Sequence, residues 1–215
     1  MDFTFFRLVV DILRRMLIRY LALGDSYTIG EDVLERERWP NQLADRLREQ
    51  GHSVDVTILA RTGWTTNELA AGIKAANLQG TFDIVSLLIG VNNQYRGLEL
   101  EEYRVEFTGL LGQAVQFAGG NPKRVIVLSI PDWAVTPFAE GRDRAQISAG
   151  IDAFNAVNCQ QSARAGVCYV DVTPVSRLAG SDPSLLAPDG LHPSGRMYSQ
   201  WTDLALPEAQ AAVMQ

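Results

Sequence analysis

The sequence predicts an α/β protein, a three-layer α/β/α sandwich built on a five-stranded parallel sheet. Short apolar segments alternate with longer helical patterns along the chain, an order typical of parallel sheets with helices on both faces. One segment, residues 82–89, is almost wholly apolar, as expected of a parallel strand covered on both sides. The chain has 215 residues, of which 47% are hydrophobic, and this suffices for one globular domain with a substantial core.

Charge and cysteine usage limit the possible partners. The formal net charge of −6 argues against a nucleic-acid partner, because phosphate binding relies on clustered Lys and Arg. Cys159 and Cys168 match neither a zinc spacing nor a CxxC motif, so we expect no metal site, and a disulfide between them is the less favoured interpretation. Without a disulfide framework or a convincing export signal, the sequence indicates a reducing, cytoplasmic location.

Residues 1–19 have the pattern of an amphipathic helix that precedes a domain spanning residues 20–215. At the helical period, charged side chains fall on one stripe and apolar side chains lie opposite. The charges interrupt the apolar run, so we expect no transmembrane segment and no signal peptide here. Packing on the domain is the preferred interpretation. Contact with a membrane surface or self-association through residues 3–18, and a native start at Met16, are the alternatives.

The first predicted strand contains the apolar run 21–23 and stops abruptly at Gly24, Asp25 and Ser26. Gly24 allows the backbone to turn sharply at the carboxyl end of the strand. Short polar side chains at this point lie where open α/β sheets bind their ligands. Ser26 is therefore a candidate nucleophile; the alternative is that Asp25 and Ser26 only cap a turn.

The remaining elements follow in regular alternation and are delimited by proline, capping residues and glycine. The polar loops after the first, second, third and fifth strands all fall at carboxyl ends and therefore share one edge of the sheet. In order, we predict a helix from 39 to about 50, a strand over 54–59, a helix from about 66, a strand over 82–89, a helix over 99–117, a strand over 125–130, a helix over 145–164, a strand over 168–172 and a terminal helix.

The chain has only two histidines, which makes the search for a general base short. His52 lies just before the second strand, at the edge opposite Ser26. His192 lies in the turn-rich stretch 188–194, three residues after Asp189, a spacing that lets the carboxylate fold back to the imidazole and fix its tautomer. We therefore predict that Ser26, His192 and Asp189 form a catalytic triad; the alternative is that Asp189 and His192 only cap the last helix.

Four short blocks occur in chain order: GDSY at 24–27, ARTGWTT at 60–66, GVNN at 90–93 and DGLHPS at 189–194. Together they resemble the SGNH or GDSL family of serine esterases and acylhydrolases. The resemblance extends from about Tyr20 to the C-terminal helix. Tyr27 stands where the family usually has leucine, and Asn93 stands where it usually has aspartate.

The resemblance implies the flavodoxin-like SGNH hydrolase fold, with an oxyanion hole made by the backbone N–H groups of Ser26 and Gly63 and the side-chain amide of Asn92. Fixed neutral donors of this kind stabilise the negative charge that ester attack places on a carbonyl oxygen. We expect hydrolysis of small carboxylic esters with short to medium acyl groups through an acyl-enzyme, with no metal or organic cofactor. Acyl transfer to an alcohol acceptor and a non-catalytic carbohydrate-binding module are the alternatives.

Side chains on the loops at the same edge are candidates for the substrate pocket. Aromatic residues there suit an apolar acyl or aryl group, although they could equally belong to the core. Asp132 and Arg96 are further candidates, for a polar headgroup or a sugar, although charged loop residues are more often simply solvated. The pocket candidates are Tyr27, Trp64, Asn93, Tyr95, Trp133 and Phe138.

Overall fold

Five parallel strands form the centre of the computed structural model, which describes residues 17–214. They lie in the order β2-β1-β3-β4-β5, which is the flavodoxin-like order of doubly wound sheets. The predicted fold class is therefore confirmed. The strands are β1 (Leu17–Gly24), β2 (Ser53–Ala60), β3 (Ile84–Leu88), β4 (Val125–Leu128) and β5 (Cys168–Val170).

Helices connect the strands and form two layers. Helices α2 and α8 pack against each other, as do α3 with α5 and α5 with α6, and β3 is buried along its whole length. Within residues 17–214 the helices are α1 (Ser26–Ile29), α2 (Trp39–Glu49), α3 (Thr66–Ala76), α4 (Val91–Tyr95), α5 (Leu100–Phe117), α6 (Arg144–Ala165), α7 (Thr173–Arg177) and α8 (Gly195–Val213).

Three strands are shorter than the sequence predicts. The prediction of 82–89 for β3 is wrong at both ends, and β4 and β5 each stop two residues early. Near these ends, backbone N–H groups donate to groups outside the sheet: that of Phe82 to the Phe117 carbonyl at 2.8 Å, and that of Ile130 to the Asn155 side chain at 2.7 Å. Buried apolar residues such as Phe82 and Ile130 therefore lie beyond the ends of the hydrogen-bonded strands. The stretch 91–95 is the short helix α4 rather than part of a loop, and α7 is an additional helix.

The predicted N-terminal helix is wrong at its carboxyl end, because residues 17–19 belong to β1. Leu17 is in register with Ser53 on β2, and the guanidinium of Arg19 lies 4.5 Å from the centre of the Phe82 ring. The rest of the predicted helix, residues 1–16, lies outside the described residues. Among residues 17–214, no helix is long and apolar enough to cross a membrane.

The strand registers place the loops that carry the sequence motifs side by side. Gly24, at the end of β1, is level with Ala60 on β2 and with Leu88 on β3. The loops that follow these three strands therefore start at the same edge. His52 precedes β2 at the other edge and is exposed, as predicted. Eight residues of strand, at about 3.3 Å each, separate that edge from Ser26.

Candidate active site

The turn between β1 and α1 holds Ser26 at the edge of the sheet. A side chain on Gly24 would clash with the Leu88 carbonyl and the Thr28 hydroxyl, so only glycine fits where the strand ends. Asp25 caps α1, because its Oδ1 accepts the N–H of Tyr27 at 3.0 Å. Ser26 is thus the first residue of α1, and its own N–H donates to no group among the described residues.

Asp25 is fully buried beneath this turn. Its second oxygen, Oδ2, has no hydrogen-bond partner among the described residues. Burial raises the pKa of this carboxyl to about 7, although hydrogen bonds from the backbone N–H groups of Tyr27 and of Asp25 itself act in the opposite direction. The carboxyl next to the candidate nucleophile therefore favours its neutral form below neutral pH.

Ser26, His192 and Asp189 form a continuous chain of hydrogen bonds. The Ser26 Oγ lies 2.9 Å from Nε2 of His192, and Nδ1 of His192 lies 2.5 Å from Oδ2 of Asp189. The other oxygen of Asp189 accepts the backbone N–H groups of Leu191 and His192, each at 2.9 Å. The backbone of the turn therefore orients the Asp189 carboxylate independently of its contact with the His192 ring.

The same contacts determine the ionisation of Asp189. Burial acts to raise the pKa of this carboxyl, but hydrogen bonds from the His192 ring and from the N–H groups of Leu191 and His192 outweigh it and hold the pKa below its usual value. Asp32 supports the turn from outside, because its Oδ2 accepts the N–H of Asp189 at 2.9 Å. Asp32 was not predicted, since a single aspartate in a loop gives no sequence signal.

Gly63 and Asn92 line one small cavity together with Ser26 and His192. Gly63 adopts a φ of +83°, which favours glycine, and its N–H donates to no group among the described residues. Asn92 lies on α4 and donates one side-chain N–H to the Trp64 carbonyl at 2.9 Å. Its second side-chain N–H donates to no group among the described residues. Ser26, Gly63 and Asn92, which each carry a neutral N–H donor, therefore line the same cavity.

The cavity has a volume of about 170 Å³ and mainly apolar walls. Tyr95, Trp133 and Phe138 form one wall, with ring centres 5.5–6.0 Å apart. The Arg142 guanidinium lies 5.3 Å from the centres of the Tyr95 and Phe138 rings and 5.5 Å from that of Trp133. Arg142 was not predicted; its cation–π contacts hold the wall together from outside.

The prediction for the pocket is partly wrong. Tyr27, Tyr95, Trp133 and Phe138 line the cavity, but Trp64 packs against Gly72 on α3. Asn93 is 1% exposed and exchanges two hydrogen bonds with Thr66, one from the Thr66 N–H at 3.1 Å and one to its hydroxyl at 2.7 Å. Asn92 and Asn93 serve different sides of α4 because successive residues on a helix do not share a face.

The two charged candidates also lie outside the cavity. Asp132 is buried, and its Oδ2 accepts hydrogen bonds from Ser148 at 2.7 Å and from Arg177 at 2.9 Å. Arg96 donates to the carbonyl of Gly63 at 2.6 Å. Both residues hold protein groups, so the prediction that they bind a polar headgroup or sugar is wrong.

No cluster of three or more His, Cys, Asp or Glu among residues 17–214 is arranged to hold a metal ion. Cys159 is exposed, Cys168 is half-buried, and both are free thiols. Burial is the main cause that raises the pKa of the Cys168 thiol to about 11.

Comparison with known proteins identifies a protein family that matches most of this chain. The GDSL-like lipase/acylhydrolase family matches residues 22–200. An arylesterase from Vibrio mimicus is 34% identical to the chain over 79 residues. That segment is 37% of this chain and 40% of the arylesterase, so the similarity spans less than half of either protein.

Solved structures share the fold along nearly the whole chain. TesA superposes with a TM-score of 0.70 at 19% identity, over 90% of this chain and 99% of that protein. Axe2, an acetylxylan esterase from Geobacillus stearothermophilus, superposes with a TM-score of 0.70 at 19% identity, over 89% of this chain and 94% of that protein. At this identity the likeness concerns the fold alone.

Proposed function

Because the chain belongs to the GDSL-like lipase/acylhydrolase family, we propose that it hydrolyses carboxylic esters through an acyl-enzyme formed on Ser26. The observation that carries the proposal is the chain of hydrogen bonds from Ser26 through His192 to Asp189, with distances of 2.9 and 2.5 Å. A serine hydroxyl is a weak nucleophile until a base within hydrogen-bond reach removes its proton, and a third group must orient that base.

The reaction has two halves. In the first, Ser26 Oγ attacks the ester carbonyl while Nε2 of His192 takes the hydroxyl proton. Asp189 accepts the Nδ1–H and stabilises the imidazolium, which then returns the proton to the leaving alcohol. In the second half, His192 takes a proton from water, the hydroxide oxygen attacks the acyl carbonyl, and the proton returns to Ser26 as the acid leaves.

Ser26, Gly63 and Asn92 supply the donors for the oxyanion in both halves. Each attack places negative charge on the former carbonyl oxygen. The backbone N–H groups of Ser26 and Gly63 have no competing acceptor among the described residues, and Asn92 retains one free side-chain N–H. Donors that are already in place need no reorganisation as charge develops, which makes this stabilisation large.

The cavity favours esters with a short to medium acyl group. Pockets for drug-sized ligands usually measure about 300–1,000 Å³, whereas this one measures about 170 Å³. The names of two similar proteins, an arylesterase and an acetylxylan esterase, agree with a small ester substrate.

Hydrolysis of p-nitrophenyl acetate by four proteins tests the proposal: the wild type and the variants Ser26→Ala, His192→Ala and His52→Ala. We expect the first two variants to lose at least roughly a thousandfold in kcat, and His52→Ala to match the wild type because His52 lies at the opposite edge of the sheet. Substantial turnover by Ser26→Ala would contradict the proposal. Added methanol that yields methyl acetate instead of acetic acid would reveal acyl transfer.

A further inference from the structure

Helix α4 and Arg96, the residue that caps its carboxyl end, hold two successive carbonyl groups of the loop after β2. Asn92 donates to the Trp64 carbonyl at 2.9 Å, and Arg96 donates to the Gly63 carbonyl at 2.6 Å through Nη2. Asn92 and Arg96 are four residues apart at the two ends of one helical turn, so their side chains share a face. The helix that carries the third oxyanion donor therefore also holds the loop that carries the second.

Gly63 depends on such bonds for its orientation. The nearest atom to the position where a Cβ would stand is Nη2 of Arg96, at 3.8 Å, so little packs directly against this residue. Glycine has the widest choice of backbone conformations. Its N–H belongs to the peptide group before Gly63 and its carbonyl to the peptide group after it, so a bond that holds the carbonyl restrains the N–H through the φ and ψ angles of Gly63.

Arg96 is itself held in place from α3. Its Nη1 lies 3.3 Å from Oε2 of Glu68, and the same oxygen accepts the N–H of Thr65 at 2.8 Å. Glu68 and Thr65 form the capping box of α3. The hydrogen bond from Thr65 is the main cause that lowers the pKa of the Glu68 carboxyl, and Arg96 adds to the effect. Glu68 thus holds the Arg96 guanidinium in place, and the guanidinium in turn holds the Gly63 carbonyl.

We propose that Arg96 is a positioning residue that aims the Gly63 N–H at the oxyanion by holding the Gly63 carbonyl. This inference rests on the proposed role of Gly63. The Arg96 and Glu68 side chains are each 45% exposed, and ion pairs that are this exposed contribute little to stability. A small displacement of a donor weakens its hydrogen bond steeply. Loss of Arg96 should therefore weaken the stabilisation of the oxyanion in the transition state and lower kcat, with little effect on the stability of the fold.

The test compares Arg96→Gln and Arg96→Lys with Arg46→Gln as a matched control. Arg46 pairs with Asp203 at the same distance, 3.3 Å, and its side chain is 39% exposed, but it lies on α2 away from the cavity. For p-nitrophenyl acetate we expect Arg96→Gln to lower kcat roughly 10- to 100-fold with KM within about twofold. Arg96→Lys should recover part of the loss, and Arg46→Gln should retain the wild-type kcat.

Two further measurements separate positioning from a general loss of structure. The rate of inactivation by a fluorophosphonate should fall in Arg96→Gln by about the same factor as kcat, because both reactions place charge on the same oxygen. Thermal midpoints of Arg96→Gln and Arg46→Gln should agree. Glu68→Gln, which leaves Arg96 in place but weakens its support, should show a smaller loss of kcat with the same unchanged KM.

The outcomes distinguish this inference from the proposed function. Wild-type kcat in Arg96→Gln, or a change confined to KM, overturns the positioning role even if Asn92→Ala is strongly impaired. A loss of kcat in Arg96→Gln that is no larger than the loss in Arg46→Gln also overturns the positioning role. Substantial turnover in Ser26→Ala overturns the proposed function, and the inference falls with it.

Discussion

Asn92 connects two functions at the scale of single residues, because its amide both holds the Trp64 carbonyl and faces the cavity. We expect Asn92→Ala to lower kcat by roughly 10²- to 10³-fold, as for removal of one oxyanion donor, with a small change in KM. Steady-state kinetics with a soluble p-nitrophenyl ester measure both constants. A rise in KM at constant kcat would show that Asn92 binds the ground state instead.

Asp25 links the nucleophile turn to the pH dependence of stability. Its carboxyl is fully buried, and burial raises its pKa to about 7, above the value of about 3.9 in an unfolded chain. The native state therefore binds the proton more tightly, and the contribution of Asp25 to stability is present at low pH and lost as pH rises through about 7.

The variant Asp25→Asn removes this titration. We expect the free energy of unfolding of the variant, relative to the wild type, to increase by roughly 2–3 kcal/mol between pH 5 and pH 8. Asparagine keeps an oxygen for the Tyr27 N–H, so the cap of α1 is retained. Urea denaturation of both proteins at the two pH values measures the difference. A difference that is the same at both pH values would show that Asp25 does not titrate in this range.

At the scale of elements, the loop after β4 depends on Asp132. Its side chain is fully buried, and its Oδ1 caps the short turn Trp133–Val135 by accepting the Ala134 N–H at 2.9 Å. Its other oxygen pairs with Arg177 at 2.9 Å. This turn carries Trp133, which lines the cavity. The contacts of Asp132 therefore determine the shape of the pocket without touching Ser26.

We expect Asp132→Ala to destabilise the protein by roughly 2–4 kcal/mol, because it leaves the buried Ala134 N–H and the half-buried Ser148 hydroxyl unpaired and breaks the pair with Arg177, and to raise KM more than it lowers kcat. Asp152→Ala is the matched control, since Asp152 pairs with the same Arg177 but its side chain is 59% exposed. The control should lose less than about 1 kcal/mol. Equal effects of the two substitutions in denaturant titrations would contradict this role of Asp132.

The sequence predicted long elements better than short ones. The helix predicted over 99–117 agrees with α5 to within one residue at its start, because a long amphipathic pattern with glycine after it has few alternatives. Strand ends were wrong because the buried chain stays apolar beyond the ladder. The predicted N-terminal helix extended into β1 because residues 17–19, which mix apolar and charged side chains, are too few to show either a helical or a strand period.

The candidate site was predicted unevenly for a similar reason. Ser26, Asp189 and His192 carry their chemistry in the residue type and in a local spacing. Arg96 and Arg142 were missed or misassigned, because their partners lie on other loops and the contact depends on how those loops meet. Side chains that bind protein groups and those that bind substrate look alike in a sequence.

At the scale of the whole molecule, the topology brings together residues that are 166 positions apart, Ser26 and His192. Helix α8 packs against α2, which follows β1 in the chain. The turn that precedes α8 is thereby placed beside α1, and a hydrogen bond of 2.7 Å from the Ala187 N–H to the His192 carbonyl closes it. The parallel sheet supplies the other loops at the same edge.

The size of the cavity determines which substrates we expect. Each methylene that is buried contributes about 0.8 kcal/mol, so kcat/KM should rise with acyl length until about 170 Å³ is filled, and then fall. A series of p-nitrophenyl esters from acetate to palmitate measures this. Trp133→Ala should move the optimum to longer chains, because it removes one of the three rings of the aromatic wall. A rate that climbs steadily to palmitate in the wild type would contradict the assignment of this pocket.

Covalent labelling of Ser26 tests the central claim most directly. A fluorophosphonate forms a bond from phosphorus to the attacking oxygen and releases fluoride, so it reports the activated nucleophile itself. We expect one label per chain, located on the peptide that contains Ser26 by mass spectrometry, with complete loss of esterase activity. Ser26→Ala should take up none, although it retains the wild-type fold by circular dichroism. A label on another residue, or equal labelling of Ser26→Ala, would contradict the mechanism.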